Sequence, residues 1–325
     1  MDKRTFLLSA AAGGLTVFGQ RAACAQATRK PRPTVGFLTS FGADSLAQLR
    51  EAMRELGHAE GRDFVIELRS AEGVAEALPR LAGELVAQHV DVLYATGPAA
   101  VRAAREATST IPIVAFDLET DPVASGLVRS LARPGGNLTG LFLDLPTLAG
   151  KWLELISAVV PGATHVAVLW DETTGTAQLD AARAAARTLS IEERVVRYRS
   201  GDDVESALAA GLAAKPRAVM ILSSPIASSR SRTLAQILDR RRMPAISPFR
   251  TFAQDGGLMS YGPNLREFRR YSADYVDRIL KGASPAELPI QQPTKFVLVI
   301  NLKAANALRL AVPKPVLLAA DEVIS

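Results

Sequence analysis

Cysteine is almost absent: Cys24 is the single one in 325 residues. It sits in an N-terminal stretch that reads as an export signal, and cleavage after it leaves a chain without thiols. That excludes disulfides, thiolate metal sites and thiol catalysis in the mature protein. Histidine is scarce too, at three residues. His58 follows a helix-stopping glycine, His89 ends a helical pattern and His165 opens a strand pattern, so neither H-E-x-x-H nor H-x-H spacing occurs and no zinc or imidazole-base site is expected. The chain also lacks G-x-S-x-G, the G-x-x-x-x-G-K-[ST] phosphate loop and a G-x-G-x-x-G following a strand, which leaves acyl-transfer and nucleotide chemistry unsupported. No cofactor is expected.

Long runs of one charge are missing as well. The formal net charge of +5 comes from arginines scattered singly over helical patterns, and the densest group, Arg240 to Arg242, ends one such pattern, where cations complement the helix dipole. Nothing here forms a nucleic-acid footprint. The longest uncharged apolar stretch, Thr5 to Gly19, is shorter than the roughly 20 residues a spanning helix needs. Lys3 and Arg4 precede it, and Ala23-Cys24-Ala25 and Ala25-Gln26-Ala27 follow as small-residue cleavage sites, so residues 1–27 read as an export signal and 28–33 as a basic lead segment. KRTFLLS resembles a twin-arginine signal with Lys in the first position, which leaves the export route open. Arg21 stands where a lipid-attachment signal carries Leu, so Cys24 is not expected to be lipidated.

What the chain does have is alternation. Short apolar runs read as strands: TVGFLTS from Thr34, FVIELRS from Phe64, VDVLYAT from Val90, IPIVAFD from Ile111, HVAVLW from His165, RAVMILS from Arg217 and KFVLVIN from Lys295. Between them lie amphipathic helical patterns, such as DSLAQLREAMRELG from Asp44 and TAQLDAARAAARTL from Thr176. Continuous apolar strands separated by helices predict an α/β protein with parallel sheets covered on both faces. The series runs twice, before and after the turn-rich ARPGGNLTG, which predicts two lobes. Ligands of open parallel sheets bind beyond the carboxyl ends of the strands, so the loops there are where function is expected.

One such loop, AFDLETDPVASGLV, holds Asp117, Glu119 and Asp121. A calcium loop needs Gly at the sixth position and Glu at the twelfth; Pro122 and Val128 stand there, which excludes it. Acid–base catalysis by this group lacks a nucleophile, base or metal to work with. Asp121-Pro122 fits an N-cap followed by proline at the first helical position, with VASGLVRSLA continuing as a helix. Asp117 is then expected to face the ligand side, while the orientation of Glu119 stays open.

Four stretches carry a family resemblance: LGHAEGRDFVIELRSAEG from Leu56, ATSTIPIVAFDLETDPVASGLVRSLARPGGNLTGL from Ala107, the segment GGLMSYGPNLREFRRYSADYVDRILKGASPAELPIQQPTKFVLVINLKAANAL from Gly256, and VPKPVLLAADEVI from Val312. Together they resemble the substrate-binding proteins of ABC transporters of the tryptophan/tyrosine-uptake type, over nearly the whole chain after the signal. The resemblance implies a type I periplasmic binding protein fold, two Rossmann-like lobes with parallel sheets. It also implies an interleaved chain, with 34–145 plus 262–290 in the N-terminal lobe and 146–261 plus 291–325 in the C-terminal lobe. The expected function is that of a periplasmic, monomeric, non-enzymatic receptor that closes on an amino acid or an aromatic or aliphatic carboxylate. Its partners would be a membrane permease and a separate ATPase subunit. The alternative is a sensing module that signals to a membrane receptor.

For that function the strand-end loops supply the candidates. From the first lobe these are Thr39, Ser40, Thr96 and Gly97, whose hydroxyls and free N–H groups suit a carboxylate, and Asp117, which suits an ammonium or hydroxyl. From the second they are Trp170, Asp171, Ser223, Ser224 and Phe249, with Tyr261 near the crossing segments; the aromatic faces suit a ring or an aliphatic body.

Overall fold

Alternation along the strands divides the first lobe's core into two faces. In β1 (Thr34–Thr39) and β3 (Val92–Thr96), Val35, Phe37, Val92 and Tyr94 pack to one side, and Leu38, Leu93 and Ala95 to the other. Both faces are apolar, so both must be covered, and helices do this. The structure, a computed structural model, describes residues 32–40, 44–143, 145–199 and 202–325. The export signal, its cleavage sites and Cys24 lie outside them.

β1, β2 (Val65–Ser70), β3, β4 (Ile113–Asp117) and β5 (Leu138–Phe142) form a wholly parallel sheet in the order β2-β1-β3-β4-β5. Helices Leu78–Ala87 and Pro98–Ala107 cover one face. Helix Asp44–Glu55 and the distant helix Leu265–Leu280 pack together over the other. An Arg266–Glu55 ion pair at 3.2 Å joins those two helices, and His58, just past the end of the first, meets Asp277 of the second at 2.8 Å.

The second sheet has seven strands in the order β12-β11-β10-β9-β8-β6-β7. They are β6 (His165–Asp171), β7 (Glu192–Tyr198), β8 (Ala218–Ile221), β9 (Ala245–Ser247), β10 (Met259–Pro263), β11 (Phe296–Asn301) and β12 (Glu322–Ile324). One junction departs from the parallel pattern, since β10 and β11 are antiparallel. The cause is the route of the chain: after β10 it runs through helix Leu265–Leu280 on the first sheet and comes back into β11 from the opposite direction. On the way, Gln291 meets the edge of the first sheet, accepting from the Phe142 N–H at 3.0 Å and donating to the Gly140 carbonyl at 2.9 Å.

Helix Ala149–Val159 anchors the second lobe near these crossings. Its Trp152 is fully buried and donates Nε1–H to the Tyr261 carbonyl at 2.7 Å. The helix expected after Asp121-Pro122 does not form. Asp121 Oδ1 accepts from the N–H groups of Val123 and Ala124, but the chain then closes into a turn with Gly126 N–H on the Val123 carbonyl and Val128 N–H on that of Pro122. Burial of Val128 in the first lobe's core outweighs the local helical spacing. Among the described residues no helix is long and apolar enough to cross a membrane.

Candidate functional site

The carboxyl ends of the central strands of both sheets face a common cleft, which encloses a cavity of about 810 Å³. Five of the residues expected from the sequence line it: Thr39, Thr96 and Gly97 from the first lobe, and Ser224 and Phe249 from the second. The Thr96 hydroxyl donates to that of Thr39 at 2.8 Å, tying the ends of β1 and β3 together. Gly97 turns the chain from β3 into the next helix at φ 86°, and its N–H donates to the Phe116 carbonyl. A Cβ at Gly97 would lie 3.0 Å from Pro225 Cγ of the other lobe, so the absence of a side chain lets the lobes approach.

Ser224 opens the short helix Pro225–Ser229 as its N-cap. Its Oγ accepts from Ala227 N–H at 2.9 Å and lies 2.9 Å from the Tyr198 hydroxyl. Ser223 is held from behind by Gln178, which accepts from its N–H at 3.0 Å and donates to its carbonyl at 3.1 Å. That clamp aims the Ser223 hydroxyl across the cleft, where it donates to Glu119 Oε1 at 2.6 Å. The lobes therefore touch directly. A second bridge runs from Arg102 Nη2 to the Thr173 carbonyl at 3.5 Å.

The acidic stretch resolves into three different environments. Asp117 is fully buried, and its Oδ1 accepts from the N–H groups of Glu119 and Thr120 at 3.0 and 3.1 Å. It thus shapes the turn after β4 and is not among the residues lining the cavity. This turn points Glu119 into the cleft, where its side chain lines the cavity. Burial, with the Asp117 carboxyl beside it, pushes the Glu119 carboxyl up to about 8. Burial raises Asp117 and Asp171 as well. Arg102 counters the shift at Asp117, but among the described residues no cation offsets Glu119, so its neutral form is favoured at the contact.

The remaining candidates lie elsewhere. Asp171 ends β6, accepts from the Thr173 N–H and hydroxyl, and shares with Ser40 a small void of about 20 Å³ beside the main cavity. Trp170 donates Nε1–H to the Gly175 carbonyl and Tyr261 packs its ring 5.9 Å from Phe296; neither lines the cavity. Among the described residues no group of three or more His, Cys, Asp or Glu is placed to hold a metal ion.

Sequence reasoning passed over Tyr94, Phe116 and Arg269, all of which line the cavity. Arg269 lies in helix Leu265–Leu280 and its guanidinium stacks over the Phe116 ring at 5.5 Å. A signal for it existed. Arg269 shares helical spacing with Ser272, Ala273 and Val276, which are all buried, so it sits on the inward stripe of its helix.

A two-lobed cleft closed by side chains from both sheets is the geometry of a solute receptor, and the family match agrees over residues 43–324. The chain belongs to the ABC transporter substrate binding protein family. A tyrosine-binding protein of Clostridioides difficile (strain R20291) is 24% identical over 262 residues, covering 79% of this chain and 74% of that protein. Among solved structures, a conserved domain protein of Vibrio cholerae superposes with a TM-score of 0.81 at 25% identity, covering 90% of this chain and 99% of that one. An ABC domain from Streptococcus pneumoniae in complex with L-Trp superposes with a TM-score of 0.80 at 22% identity, covering 90% and 100% of the two chains. These likenesses establish the two-lobed type I periplasmic binding protein fold for this family member.

Proposed function

We propose that this chain is the extracytoplasmic receptor of an ABC import system, closing its lobes around a small amphipathic organic solute, an amino acid or an aromatic or aliphatic carboxylate, and delivering it to a membrane permease. The observation that carries the reading is the cavity between the sheets, lined both by the hydroxyls of Thr39, Thr96 and Ser224 and by the rings of Tyr94, Phe116 and Phe249. Polar groups at Thr39, Thr96 and Ser224 fix orientation, while the aromatic rings accept an apolar body. The Glu119–Ser223 bridge makes closure a discrete contact, and a solute favours that state only through contacts that the open state lacks. The names of the relatives support the solute class, since one binds tyrosine and another was solved with L-Trp. Export and a periplasmic location rest on the N-terminal sequence.

The test is a thermal-shift panel on the mature protein with L-tyrosine, L-tryptophan, L-phenylalanine, phenylpropanoate and hydroxybenzoates. A solute at about 100 times its Kd adds about 2.7 kcal/mol of stability and a corresponding rise in Tm. If no member of the panel moves the transition, this solute class is wrong.

A further inference from the structure

The cavity wall carries four arginines, Arg232, Arg250, Arg266 and Arg269. Three are committed to carboxylates of the protein: Arg232 to Asp255 at 3.3 Å, Arg250 to Glu322 at 2.6 Å and Arg266 to Glu55 at 3.2 Å. Arg269 meets no carboxylate among the described residues; its neighbours are the Phe116 face and Tyr94. Burial pushes its guanidinium below the ordinary value, and Tyr94 opposes that shift.

The wall's acidic groups do not supply the missing charge. Asp255 and Glu322 are used by Arg232 and Arg250, Asp321 accepts from the Leu298 N–H at 2.8 Å, and Glu119 is engaged by Ser223. Among the described residues, therefore, Arg269 is a cavity-wall guanidinium that no carboxylate pairs. A desolvated cation left without a counter-charge is costly, and an aromatic face compensates it only in part. An anion brought by the solute removes that cost, and a guanidinium fork is matched in shape to a carboxylate.

We propose that Arg269 holds the carboxylate of the bound solute and is the residue by which the cleft selects acids over their neutral amides. The inference rests on the solute-receptor reading and adds to it the group that recognises the charged end. The apolar body of the solute then lies along Phe116 and toward Phe249, because Arg269 is itself laid over the Phe116 ring.

The experiment is calorimetric titration of the mature wild-type protein, Arg269→Gln and Arg269→Lys with two matched pairs: phenylpropanoate against phenylpropanamide, and L-tyrosine against L-tyrosinamide. Wild type is expected to favour the acid by about 10- to 100-fold in at least one pair, the range for charge-assisted hydrogen bonds. Arg269→Gln is expected to bring acid and amide to similar affinity. Arg269→Lys, which keeps the charge and loses the fork, is expected to fall between the two. Melting curves report folding, and if the glutamine variant does not fold the lysine variant decides on the same ratio. An acid-to-amide ratio equal to that of wild type in the variants, or equal binding of acid and amide by wild type, overturns the role of Arg269 and leaves the receptor reading intact. Binding of none of the four compounds by wild type overturns both.

Discussion

At Glu119, burial, a neighbouring carboxylate and an interlobe hydrogen bond act on one side chain. Its folded value is raised from the ordinary 4.5 to about 8, with burial the first cause and Asp117 the second. A carboxyl raised in this way binds a proton more tightly when folded and closed than when exposed, so its contribution to stability is complete below 4.5 and is lost as pH rises through about 8. Asp117 and Asp171, also raised by burial, act in the same direction. The ligand-free protein is accordingly expected to lose Tm as pH climbs through that window, and Glu119→Gln, neutral at every pH, to flatten the decline. Melts over a pH series check this, and a decline that is equally steep in the variant contradicts it. Much of this environment was hidden in the sequence. Alternation along β4 brought Asp117 to attention, and it was the turn after the strand, built by Asp117 accepting from Glu119 and Thr120, that delivered Glu119 to the cleft.

Strands with a continuous apolar run announced themselves, and those whose run is short or broken did not. β7 starts with alternating exposed and half-buried residues and buries only Val196 and Tyr198, β9 has three residues, and β5 contains Gly140, so none of them forms a clean apolar run. Gly140 has a specific reason to be there: it pairs with Ala115 at φ 137°, and a Cβ would fall 2.1 Å from the Ala115 carbonyl oxygen. Gly140→Ala must therefore push β5 away from β4, and the loss extends to the Gln291 crossing segment that bonds to the same strand. A destabilisation on the order of 3 kcal/mol is expected, read as a lower urea midpoint. A midpoint close to wild type would mean that the strands separate at little cost. The same competition between local and long-range terms explains the missing helix after Pro122, whose spacing was helical while Val128 was required in the core.

Across the whole molecule, closure depends on a few groups that meet between the lobes: Glu119 with Ser223, Gly97 against Pro225, and Arg102 with Thr173. Above about pH 8, where Glu119 is ionised, Ser223→Asp places a further carboxylate against it in a dry interface, where like charges repel strongly. The variant is expected to open, with a larger radius of gyration in small-angle scattering and weaker binding of whichever panel solute the wild type takes, while each lobe stays folded. Unchanged scattering and affinity would show that this contact does not hold the lobes. The sequence by itself determined the α/β class, the doubling into two lobes and the family, and pointed to the strand-end loops for the candidate site, because periodic burial and long shared segments are local properties of the chain. Only the tertiary structure decided which side chains meet. Glu119 and Ser223 are separated by 104 positions, and Arg269 reaches the cleft because its helix crosses back onto the first sheet; contacts of that range are set by the packing of the two sheets and leave no mark in local spacing.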